Sequence, residues 1–158
     1  MYCFNPYCLT KYPKIIIFCF FFFFTLLSSC KKKNTIQDNI AYQTVNVTIY
    51  PNDPLNFKLQ VVGGWIYYNA GVNGLIIYRK TNVGANDFVA LERTSTYYPD
   101  DANAKVKVQS NNFTLKDTIS NSEWQIIDGA VTKGPATLPL RQYYTNYDSG
   151  TGALTIRN

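Results

Sequence analysis

Histidine is missing from this 158-residue chain, and all four cysteines, Cys3, Cys8, Cys19 and Cys30, lie in its first thirty residues. The remaining chain therefore has no imidazole and no thiol. That removes the commonest general acid–base group and the commonest soft metal ligands. It also removes any disulfide from the folded part, which must stand on its core. Only one methionine is present, and no window carries a sustained helical period. Net charge is another absence. The chain carries 15 basic and 10 acidic residues, but Lys11, Lys14 and Lys31-Lys32-Lys33 all precede Asn34. From Asn34 onward ten basic residues face ten acidic ones, so the basic total is no argument for nucleic acid.

The N-terminus holds what the rest lacks. Lys11 and Lys14 precede an apolar run from Ile15 to Leu27, about thirteen residues long. That is short for a membrane-spanning helix and fits the apolar region of an export signal. Leu27-Ser28-Ser29-Cys30 follows and resembles the bacterial lipobox. The resemblance implies cleavage before Cys30 and acylation of its thiol and its new amine. More than one acyl chain makes such anchoring stable, at about 0.8 kcal/mol per buried methylene. An uncleaved membrane helix and a cleaved signal without lipid are the alternatives, and neither gives Cys30 a role. The expected organisation is a signal peptide over 1–29, a lipidated Cys30 with a flexible tether over 30–41, and one β domain over 42–158. Lys31-Lys32-Lys33 would sit beside the headgroups as an added electrostatic contact or a solvated spacer. The anchor is expected in the cell membrane or the outer membrane; Lys31 is not the acidic residue that resembles an inner-membrane retention signal, which leans to the outer membrane.

The domain itself reads as all-β. Short runs rich in Val, Ile, Tyr, Phe and Thr are broken by Gly, Pro, Asn and Asp. Strands are expected at Thr44–Tyr50, Asn56–Val62, Gly74–Arg79, Asp87–Glu92, Lys105–Gln109, Phe113–Lys116, Glu123–Ile127, Leu140–Thr145 and Ala153–Arg157. Nine short strands predict a small antiparallel sandwich or barrel. Tyrosine is abundant at 13 residues, with pairs at Tyr67-Tyr68, Tyr97-Tyr98 and Tyr143-Tyr144. Cross-strand packing accounts for such pairs. Exposed, they would serve a binder of small molecules or glycans. Gly71-x-x-Gly74 lacks the strand-to-helix setting of a phosphate loop.

The stretch from Asp128-Gly129 through Gly134-Pro135-Ala136 to Pro139-Leu140 and Tyr143 resembles the C-terminal part of Rieske-type iron–sulfur domains. Asn121-Ser122-Glu123-Trp124, Ala90-Leu91-Glu92-Arg93-Thr94, the Gly71–Arg79 run and the terminal Ala153–Asn158 are similar to flanking parts of the same family. The likeness covers about residues 54–158 and implies a small Rieske-like antiparallel β-sandwich or barrel. Gly129 and Gly134 are expected to adopt conformations costly for other residues. The family holds [2Fe–2S] with Cys-x-His on one loop and Cys-x-x-His on another. Carried over, the first pair falls on Ser95 and Tyr97 and the second on Asp117 and Ser120. None is a family ligand, so the resemblance implies the frame without the cluster.

Asp117, Tyr97 and the Asp100-Asp101 turn offer oxygen to a hard cation, but such turns are ordinarily solvated caps, and no metal is expected. The acidic residues give no pair suited to glycosidase chemistry. The expectation is a membrane-anchored envelope lipoprotein without cofactor or catalytic residues, acting as a structural or interaction module with an envelope protein as partner. An electron-transfer subunit, implied by the family, and a small-molecule or glycan binder are the alternatives. Replacing the anchor residue tests the first step. Cys30→Ser is expected to abolish lipidation and leave unprocessed precursor or soluble protein. A variant that still fractionates with membranes at the mature mass would overturn the lipobox reading.

Overall fold

A computed structural model describes residues 39–158; Cys30, the signal segment and the tether up to residue 38 lie outside the described residues. Ten strands form two antiparallel sheets. They are β1 (Asn46–Ile49), β2 (Trp65–Tyr68), β3 (Leu75–Arg79), β4 (Phe88–Glu92), β5 (Val106–Val108), β6 (Thr114–Asp117), β7 (Glu123–Gln125), β8 (Val131–Lys133), β9 (Gln142–Asp148) and β10 (Ala153–Arg157). The larger sheet runs β1-β10-β9-β4-β3-β2 and curls like half a barrel. The smaller runs β5-β6-β7-β8. The all-β expectation holds. Among the described residues no helix is long and apolar enough to cross a membrane.

Period-2 geometry divides the core in two. In β3, Leu75 and Ile77 point to one cluster and Ile76 and Tyr78 to another. In β4, Phe88 and Ala90 join the first and Val89 and Leu91 the second. Every residue of both strands is buried. The first cluster is completed by Val45, Ile49, Leu59, Tyr143, Leu154 and Ile156. The second takes Val106, Leu115, Trp124, Ile126 and Leu140 from the smaller sheet and its connections. Each large aliphatic side chain buried this way contributes about 1.5–3 kcal/mol.

Three local expectations fail for identifiable reasons. Phe57, Leu59 and Val61 alternate with polar residues, yet Pro54–Gln60 is a 3₁₀ segment. Asp53 caps it, its side chain accepting from Leu55 N at 2.8 Å, and Pro54 stands at the start, where a fixed φ favours a helical turn. The Arg79 guanidinium then takes the carbonyls of Leu59 and Gln60 at 3.1 Å each. β2 and β8 are strands outside the nine expected ones; each has only three or four residues and no alternation to betray it. Gly129 does have positive φ, +70°, and a Cβ there would lie 3.1 Å from Leu91 Cδ2, but Gly134 does not, and a Cβ on it meets nothing closer than 3.8 Å.

At one end of β3 and β4 a buried ion pair closes the sheet. Arg79 Nη2 lies 3.7 Å from Asp87 Oδ2. Asp87 Oδ1 accepts from the Thr81 hydroxyl at 2.9 Å, Val83 N at 2.7 Å and Gly84 N at 3.0 Å. Burial by itself raises the Asp87 pKa, but the two backbone N–H groups, the Thr81 hydroxyl and the Arg79 charge outweigh it and hold the carboxyl below the ordinary aspartate value. A depressed folded pKa stabilises above the unfolded value of about 3.9, and the contribution is lost as pH falls through the folded pKa. Asp87→Asn is therefore expected to lower stability at neutral pH and to flatten the loss of stability below about pH 4 in urea titrations. An unchanged acid limb would show that Asp87 carries none of that dependence.

Candidate functional site

The opposite end of β3 and β4 gathers the polar groups. Glu92, the last residue of β4, is buried, and its carboxyl group is enclosed by donors. Oε1 accepts from Asn73 N at 2.9 Å and the Thr94 hydroxyl at 3.0 Å; Oε2 accepts from Val72 N at 3.0 Å and the Tyr143 hydroxyl at 2.7 Å. Gly71, at φ +71°, leaves this space: a Cβ there would sit 2.3 Å from Glu92 Oε2. The Gly71-x-x-Gly74 turn is thus an anion-binding turn filled by the protein's own carboxyl group. Burial, the hydrogen bond to Glu92 and the Glu92 charge push the Tyr143 phenol well above its ordinary pKa, with Arg141 opposing, so Tyr143 is a fixed donor.

The chain leaves β4 through Arg93 and Thr94, and the backbone pairs Thr94 with Lys105 before β5 begins. Ser95 lies in this β4–β5 connection and Asp117 ends β6. Their side chains meet: Ser95 Oγ donates to Asp117 Oδ2 at 2.9 Å. Ser120 Oγ donates to the same oxygen at 2.7 Å, with Ser120 N at 3.3 Å, and Ile119 N donates to Oδ1 at 2.8 Å. The Ser120 and Ser122 hydroxyls lie 2.9 Å apart, and Ser122 Oγ accepts from Ala136 N at 2.9 Å. One hydrogen-bonded chain therefore joins the β4–β5 connection, the β6–β7 turn and the β8–β9 connection. Leu138 O ties the β8–β9 connection to the β4–β5 connection and to β7, accepting from the Thr96 hydroxyl at 2.8 Å and from Trp124 Nε1 at 3.1 Å.

Of the four positions singled out by sequence, the structure brings Ser95, Asp117 and Ser120 into direct contact. Tyr97 joins only by its backbone, its N–H donating to Ser95 Oγ at 3.3 Å. The Tyr97 ring turns outward and packs edge-on against Tyr98 with centroids 4.6 Å apart. The set does not fit an iron–sulfur cluster. It offers no thiolate or imidazole, and the Asp117 oxygens already serve four donors. Among the described residues no three His, Cys, Asp or Glu converge as metal ligands. Asp101 Oδ1 caps its own turn, accepting from Asn103 N at 2.8 Å.

The tyrosine pairs separate by face. Tyr143 is buried while Tyr144 is exposed. Tyr67 accepts from Val108 N at 3.0 Å and carries the Arg93 guanidinium 3.8 Å from its ring centroid, joining β2 to β5. Trp124 is buried. Trp65 is half-buried in an open groove of about 570 Å³ with Phe57, Lys58, Gln60 and Asn112, at the far end of the sheet. Its indole N–H donates to Asn112 Oδ1 at 3.0 Å, and Lys58 Nζ stands 5.5 Å from its ring.

Sequence reasoning missed Glu92 as a binding partner. The signal was a carboxylate closing an otherwise apolar run, Phe88-Val89-Ala90-Leu91. The chain matches no protein-family model and no curated protein.

Removing the Asp117 carboxyl group strands several buried donors, each costly to leave unpaired. Asp117→Ala is expected to destabilise by about 3–5 kcal/mol, and Asp117→Asn, which keeps one acceptor oxygen, by less. Chemical denaturation measures both; equal and small losses would show that the Ser95–Asp117–Ser120 contact is not structural.

Proposed function

We propose that this chain is a lipid-anchored envelope lipoprotein whose β domain is a non-catalytic structural or interaction module, built on a Rieske-like frame that has exchanged its cluster for hydrogen bonds. The observation that carries this reading is the Ser95–Asp117 contact at 2.9 Å. These residues lie 22 apart in sequence, on the two loops that the resemblance designates as ligand loops. In the family a metal cluster crosslinks such loops; here the Ser95 hydrogen bond to the Asp117 carboxyl group spans them. The site is filled by the protein's own donors and holds no thiolate or imidazole for a cluster. Lipidation at Cys30 places the module on a membrane, with an envelope protein as its partner.

Binding of a small molecule or glycan is the second reading. The feature favouring it is the open Trp65 groove, where an aromatic ring is flanked by the Gln60 and Asn112 amides.

Two measurements test the principal reading. The protein isolated from its own membranes is expected to be colourless and iron-free and to carry acyl mass on the peptide beginning at Cys30; stoichiometric iron with visible absorption would restore the electron-transfer alternative. The combined variant Ser95→Cys, Tyr97→His, Asp117→Cys and Ser120→His is expected to acquire iron and red-brown colour on reconstitution. A folded variant that takes up none would sink the correspondence with Rieske ligand loops.

A further inference from the structure

The described chain enters the domain at the Ser95–Asp117 end. Asn39 Nδ2 donates to Thr96 O at 2.8 Å, Ile40 is buried, and Arg141 donates to the carbonyls of Ile40 and Ala41. Only residues 31–38 separate this point from Cys30. Fully extended, that length spans at most about 30 Å. A lipidated Cys30 therefore keeps this end within about that distance of a bilayer surface.

The side chains that this end presents suit such a surface. The polar groups of Ser95, Asp117 and Ser120 are turned inward on one another. The large apolar side chains left outside are aromatic and aliphatic: Tyr97 and Tyr98 are each 42% exposed, and Ile119 is 50% exposed. Tyrosine has an apolar ring and a polar hydroxyl, and it concentrates at the headgroup level of membranes. The loops beneath are pinned by the Asp117 hydrogen bonds and by Thr96 to Leu138, so these rings are presented with little left to order on contact.

We propose that the tip bearing Tyr97, Tyr98 and Ile119 rests in the lipid headgroup layer as a second membrane contact beside the acyl anchor. This rests on the lipoprotein reading. The anchor supplies the high effective concentration that lets so small a surface stay engaged. Asp100 and Asp101 flank the tyrosines and oppose anionic lipid. The contact is therefore made by ring and aliphatic burial rather than by charge. It also orients the domain, with the Trp65 groove facing away from the membrane.

Acylation of Cys30 leaves the mature chain without a free thiol, so one introduced cysteine labels uniquely. Tyr98→Cys and Ile119→Cys are each labelled with an environment-sensitive fluorophore in the full lipidated chain, bound to phosphatidylcholine vesicles. Val83→Cys is the reference; Val83 is 91% exposed in the β3–β4 connection, at the opposite end of those strands. Unchanged thermal transitions verify that each labelled variant folds. The proposal expects blue-shifted emission at positions 98 and 119, quenching there by a lipid-borne quencher, and neither at 83. The shifts should persist from about 0.1 M to about 1 M salt, where surface charge effects are screened. Water-like emission at all three positions, with acyl mass on Cys30, overturns the docked tip and leaves the anchor standing. Equal shifts at all three also overturn it, because the domain then adsorbs without orientation. Absence of acyl mass overturns the anchor and the proposal together.

Discussion

Burial of β3 and β4 on both faces is the constraint from which the other features follow. A strand with one wet face can shed its polar backbone and side-chain groups into water; these two cannot. Leu75 to Tyr78 and Phe88 to Leu91 are apolar throughout because each face meets a separate core. One core lies within the curl of the six-stranded sheet, and the other lies against the four-stranded sheet. The second cluster therefore exists only because β5 to β8 fold back over β3 and β4, with Trp124 and Leu115 as the largest pieces.

Strands buried in this way must end in polar groups whose bonding is complete. At one end Arg79 and Asp87 provide it, and Arg79 also holds the 3₁₀ segment through the Leu59 and Gln60 carbonyls. At the other end Glu92 gathers the 71–74 turn, Thr94 and Tyr143. Asp117 then fastens the neighbouring loops of the smaller sheet. Three buried carboxyl groups thus hold connections that small domains elsewhere hold with disulfides or metals, consistent with described residues that carry no cysteine. Among the described residues no buried side-chain polar atom lacks a hydrogen-bond partner. Complete pairing is what makes buried carboxyl groups tolerable in a low-dielectric interior.

This completeness also bears on function. The hydrogen bonds of Asp117 and Glu92 all go to the protein's own donors, and Tyr143 is held as a donor to Glu92. Open surfaces include the Tyr97–Tyr98 tip and the Trp65 groove, toward opposite ends of β3 and β4.

Composition and period alone determined the β class, the absence of disulfide and imidazole chemistry from the domain, and the places of most strands, because alternation and turn residues are local properties. Asn56–Val62 misled because alternation is shared by a strand and by a capped turn; Asp53, Pro54 and a distant arginine decided between them. Ser95, Asp117 and Ser120 were legible as positions only through a resemblance. That they touch, while Tyr97 turns away, depends on two sheets bringing together loops 22 residues apart. Glu92 was legible as a misplaced charge but not as a partner of Tyr143, 51 residues on. Hydrogen bonds of that span have no signature along the chain, because each residue type is common by itself and only the register of β4 against β9 sets them face to face.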